Sequence, residues 1–93
     1  MYKHTINVSK IKDELIKLNL LLNFDIDPLN NNKDGLIIGN RLIKGETIFR
    51  LSFLKDGQSI AVYDYKNKKE LFSALKSLYL CFKFYDQKFK RGQ

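Results

Sequence analysis

The sequence has no tryptophan and only one cysteine (Cys81), one histidine (His4) and one proline, and its five glycines never fall in a cluster. A lone cysteine cannot close an internal disulfide, which points to a reducing compartment or to a fold that needs no staple. One cysteine and one histidine are too few for a dedicated nitrogen and sulfur metal site. Scattered glycines exclude a P-loop and a G-x-G-x-x-G cradle for phosphates. His4 has no nucleophile or carboxylate near it in sequence, Cys81 reads as a small buried hydrophobe in mid-helix, and nothing brings Asp64 to Asp25 or Asp27. An enzyme is therefore not expected, and no cofactor is implied. The opening residues MYKHTINVSK lack an apolar h-region and a small-residue cleavage pattern, and no run of about 18 apolar residues exists. Neither export nor membrane spanning is expected, so a cytoplasmic location is the default.

What is present suits a folded protein. With 44% hydrophobic and 29% charged residues in 93, the chain reads as one α+β domain spanning residues 1–93 that folds unaided. Its net charge of +7 is unevenly placed. Residues 1–65 hold nine Lys or Arg against eight Asp or Glu, whereas residues 66–93 hold eight against two. The excess positive charge belongs to the last segment, where it attracts a polyanion, an acidic protein or an anionic lipid surface.

Along the chain, Tyr2, His4, Ile6 and Val8 alternate with polar residues, which suits an extended arm or short edge strand over residues 1–8. Ser9 can cap a helix over residues 10–23 whose apolar positions are Ile11, Leu15, Leu18 and Leu22. The stretch NFDIDPLNNNKD reads as an irregular connection, and its acids do not meet the EF-hand spacing. Three strands follow, over residues 36–43, 47–54 and 59–65, divided by Lys44-Gly45 and by Asp56-Gly57, a strong hairpin signal. With both turns taken as two-residue loops, Leu36, Ile38, Phe49, Leu51, Phe53, Ile60 and Val62 share an apolar face. The other face then collects Ile37, Arg41, Ile43, Ile48, Arg50, Tyr63 and Tyr65. The expected fold is a three-stranded antiparallel sheet with two helices on one face.

The segment from Tyr65 to Arg91 predicts one long helix. Asn67, with Glu70 three residues on, resembles a capping box. Leu71, Leu75, Leu78, Phe82, Tyr85 and Phe89 form a core stripe, and Leu80 and Phe84 lie nearly opposite it, where a second subunit would cover them. Phe72, Lys76, Tyr79, Lys83 and Lys90 occupy a further face of rings interleaved with ammonium groups. Lys68 and Lys69 stand in the first turn, where the helix dipole already favours an anion.

The order helix, three strands, helix resembles that of double-stranded RNA-binding domains, in which lysines at the place of Lys68 and Lys69 contact phosphates. The likeness is one of topology. The Gly-Pro-x-His type turn, the Gly/Ser loop before the last helix and that helix's alanine-rich interior are missing. The layout is also similar to small phage-encoded inhibitors of host defence, anti-CRISPR proteins among them. The leading expectation is a non-enzymatic module that binds DNA or RNA, with Lys68, Lys69, Lys76, Lys83, Lys90 and Arg91 on phosphates and Phe72 or Tyr79 stacking on bases. The alternative is an inhibitor from a mobile element that grips an acidic or nucleic-acid-binding host protein through Arg41, Ile48, Arg50, Tyr63 and Tyr65. Membrane attachment by the basic helix ranks third, because the core needs that helix.

Overall fold

A computed structural model describes residues 6–87. Helix α1 (Val8–Leu21) starts at Asn7, whose side chain accepts a hydrogen bond from the Lys10 N–H at 2.9 Å. The cap is therefore Asn7 rather than Ser9, and Val8, expected in an extended arm, already belongs to the helix. The rest of that arm, residues 1–5, lies outside the described residues.

The expected irregular connection holds one helical turn, α2 (Pro28–Asn31), with proline at its start. Its asparagines tie the neighbouring acids. Asn31 Nδ2 donates to both Asp25 carboxylate oxygens at 3.0 and 3.2 Å, and Asn30 Nδ2 donates to Asp27 at 2.7 Å.

Strands β1 (Gly35–Ile43), β2 (Glu46–Lys55) and β3 (Gln58–Tyr65) form an antiparallel sheet in that order. Both turns have positive φ at both central residues, 52° and 81° at Lys44-Gly45 and 54° and 78° at Asp56-Gly57. That is the type I′ geometry whose twist matches the strands. Between β1 and β2 the expected register holds, with Leu36 across from Phe53 and Ile38 across from Leu51.

Between β2 and β3 it does not. The turn closes as expected, with Lys55 across from Gln58, but the register shifts between Leu54 and Phe53, so Phe53 faces Ala61 and Ile60 is the extra residue of a bulge. One inserted residue exchanges the faces of the rest of the strand. Tyr63 and Tyr65 pair with Leu51 and Phe49 on the side the helices cover, and Val62 and Asp64 move to the open side.

Helix α3 (Lys68–Tyr85) begins as expected, with Asn67 Oδ1 accepting from the Glu70 N–H at 2.9 Å. Lys68 and Val8 line one groove and Leu21 and Phe82 another, so α1 and α3 run parallel, side by side on the sheet. Ile11, Leu18, Leu36, Leu51, Leu71 and Leu75 make one buried cluster between the layers. The stripe on α3 holds as far as Phe82; Tyr85 is 56% exposed, and Cys81, expected in the interior, is exposed.

Two further contacts lock α1 and α2 to β1. Asn19 is buried, and its amide donates to the Leu36 carbonyl at 3.1 Å while its oxygen accepts from the Leu36 N–H at 2.9 Å. A side-chain amide thus serves as the missing outer neighbour of an edge strand. At Gly35, a Cβ would stand 2.7 Å from the Asp25 carbonyl oxygen and 2.7 Å from the Pro28 ring, whereas at Gly39 it would meet nothing within 4 Å. Gly35→Ala should therefore cost about 2 kcal/mol through overpacking. Gly39→Ala should be neutral or gain up to about 1 kcal/mol by stiffening the unfolded chain. Urea denaturation of the two variants checks the pair.

Candidate nucleic-acid interface

The helical layer carries the charge. Lys69, Lys76 and Lys83 recur every seven residues along α3, which sets them in one line about 10.5 Å apart. All three are exposed. On α1, Lys10 and Lys17 are also seven apart and share a side of their helix. The Lys17 ammonium lies 4.5 Å from the centre of the Tyr79 ring, so that side of α1 faces α3. Lys83 reaches the same ring at 5.7 Å, and Lys76 lies 5.4 Å from the Phe72 ring. Five lysines from two parallel helices therefore border one seam.

Phe72 and Tyr79 are half-buried against the core, and each has an ammonium group against its ring. They act as seats that hold lysine stems in place through cation–π attraction, not as free platforms for bases. Lys17 and Lys10 are the contributors that sequence reading missed.

Among the described residues the ion pairs are Lys17–Glu14 at 3.1 Å and Arg50–Asp64 at 2.7 Å, so Lys69 and Lys76 have no carboxylate partner. Two acids, Asp13 and Glu14, stand between Lys10 and Lys17 on α1, and Glu14 is the one drawn into the seam. One of its oxygens meets Lys17, and the other is buried without a hydrogen-bond partner.

Lys68 and Lys69 are exposed in the first turn of α3, where the Asn67 side chain already takes the Glu70 N–H and the Glu70 carboxylate accepts from the Lys66 N–H at 3.3 Å. The capping groups thus occupy part of the anion site expected there. Lys90 and Arg91 lie outside the described residues. Leu80 and Phe84 are 64% and 63% exposed on the outer side of α3.

The open sheet face departs from the expected partner surface. Arg41, Ile48 and Arg50 are on it, but the bulge sends Tyr63 and Tyr65 to the other side. Burial raises the Tyr65 hydroxyl pKa, with Tyr63 adding to the effect. In place of the tyrosines stands Asp64, whose two oxygens accept from Arg50 Nε and Nη2 at 2.7 and 2.9 Å. This fork neutralises the centre of the face.

The Arg50 hydrogen bonds hold the Asp64 carboxyl below the usual carboxylate range, and the Asp27 N–H, followed by the Asn31 amide, does the same for Asp25. A depressed folded pKa stabilises above the unfolded value near 3.9 and loses that contribution as pH falls through the lower folded value. Asp25→Asn/Asp64→Asn should therefore show a shallower loss of stability on acidification than the wild type. Thermal melts between about pH 6 and 2 check it.

Among the described residues no group of three His, Cys, Asp or Glu is placed to hold a metal, and no helix is long and apolar enough to cross a membrane. No known protein family, curated protein or solved structure matches the chain.

Proposed function

We propose that this protein is a small non-enzymatic module that holds nucleic acid by its phosphate backbone along the seam between α1 and α3. The observation that carries the reading is the convergence of Lys69, Lys76 and Lys83 with Lys10 and Lys17 on one layer, where they outnumber the acids of the same two helices, Asp13, Glu14 and Glu70. Ammonium groups about 10.5 Å apart along a helix match a polyanion better than a compact ligand, because each reaches a separate phosphate. Such contacts fix position and carry no base information. Recognition is therefore independent of sequence, with Phe72 and Tyr79 holding lysines rather than stacking on bases.

Fluorescence anisotropy with short duplex DNA, duplex RNA and single strands tests the reading. At low salt every probe is expected to bind. Probes that all stay free at low salt would overturn it.

A second reading rests on the uncovered sheet face, where Ile37, Ile43, Ile48 and Val62 surround the Arg50–Asp64 fork. In it the protein is an interaction module, such as a mobile-element inhibitor, that lays this face on a host protein. Loss of a stoichiometric host partner from Ile48→Lys, but not from Lys76→Glu/Lys83→Glu, would favour it.

A further inference from the structure

We propose that β3 is the joint of a homodimer, pairing antiparallel with β3 of a second copy so that two three-stranded sheets become one of six strands. The two outer edges of the sheet are not equivalent. At β1 the outward N–H and C=O of Leu36 are consumed by Asn19, and the open groups further along, at Ile38, Asn40 and Leu42, run beside the cationic side chains of Arg41 and Lys12. At β3 no described residue takes the outward groups.

The same Asn19 contact fixes which groups these are. Leu36 turns its backbone away from β2, so Phe53 opposite it turns towards β3, and the alternation of an antiparallel ladder then points Ala61, Tyr63 and Tyr65 inward. Val62 and Asp64 therefore present their N–H and C=O groups outward. Natural edges are usually guarded by lysine, proline or a covering element. Gln58–Tyr65 contains neither lysine nor proline, and its one charge, Asp64, is neutralised by Arg50. The bulge lies at Ile60 and leaves Ala61–Tyr65 regular.

The occupant is a second copy because the charges around this edge offset one another, Asp64 against Arg50 and Glu70 beside Lys66, whereas the rest of the molecule repels its like. Val62 and Tyr63, 44% and 51% exposed, flank the edge on its two faces. Above it, the flank of α3 turned away from α1 presents Glu70, Ser77 and Phe84, which recur every seven residues. The small Ser77 lets two antiparallel α3 helices approach across the two-fold axis, which covers Phe84. The lysine line lies on the other flank, so the dimer leaves both basic seams free on one face.

Sedimentation velocity tests the proposal without reference to nucleic acid. The wild-type chain of 11.0 kDa is expected to sediment as a dimer. Val62→Pro is expected to give a monomer with an unchanged circular dichroism spectrum, since its ring removes only an outward N–H and proline is tolerated on edges. Hydrogen exchange on the wild type gives an independent readout: the Val62 and Asp64 amides should be protected at high protein concentration and exchange at least 10-fold faster on dilution. A monomeric wild type, a dimer that Val62→Pro leaves intact, or fast exchange at both amides at every concentration would overturn it.

Discussion

Asn19→Leu should remove about 3 kcal/mol of stability, close to half of what a domain of this size possesses. The substitution keeps the volume and adds apolar surface, so simple counting of hydrophobic residues predicts a gain. The hydrogen bonds decide otherwise. The Leu36 N–H and C=O would both lose their partner in a buried setting, and each orphaned group costs roughly 1 to 3 kcal/mol. For a chain this short the melting temperature should fall by about 15 °C. Leu20, the next residue and 63% exposed, supplies the control: Leu20→Ala should change stability by no more than about 0.5 kcal/mol. Urea denaturation of both variants measures the contrast. Equal, small effects would mean that water replaces the amide and that the clip between α1 and β1 is dispensable.

Lys76→Glu/Lys83→Glu should weaken binding to duplex DNA at least ~100-fold at low salt, because two phosphate contacts are replaced by two repulsions at the middle and far end of the lysine line. Both side chains are exposed and neither is part of the buried cluster, so the fold should survive. Net charge changes too, and the comparison must separate site from total. Lys33→Glu/Lys44→Glu makes the same change in charge off the two-helix layer, in the α2 loop and the β1–β2 turn. It should weaken binding by only a few-fold. Equal losses in the two double variants would reduce the seam to a diffuse field.

Much of this architecture is legible in the sequence. The α+β layout, the ends of the three strands and both type I′ turns follow from Lys44-Gly45, Asp56-Gly57 and the Val, Ile and Phe runs between them. The Asn67 cap follows from its spacing to Glu70. What failed has physical reasons. The bulge at Ile60 is hidden because both parities of β3 look apolar, Ile60 and Val62 on one and Ala61, Tyr63 and Tyr65 on the other, so alternation cannot fix the phase. The cross-strand charges could have fixed it, since only the bulged register sets Asp64 opposite Arg50.

Asn19 is hidden for a different reason. A polar residue beside a helical core stripe reads as solvated, and its partner is the backbone of an edge strand 17 positions later. Tyr85 continues a faultless stripe, yet by that turn α3 runs alongside the end of α1 at Leu21 and Leu22 and has less to pack against. The candidate interface was half visible. Periodicity gave Lys76 and Lys83 and the first helical turn gave Lys69, while Lys10 and Lys17 join them only because the helices lie parallel, which no local pattern encodes.

The measurement that tests the central claim most directly is the affinity of the wild-type protein for a short DNA duplex across a series of salt concentrations. If the five seam lysines each displace a counterion, the plot of log affinity against log salt is a straight line with a slope of about −4.5. A flat plot, or no binding at the lowest salt, would contradict the claim that the α1–α3 seam is a phosphate-binding surface.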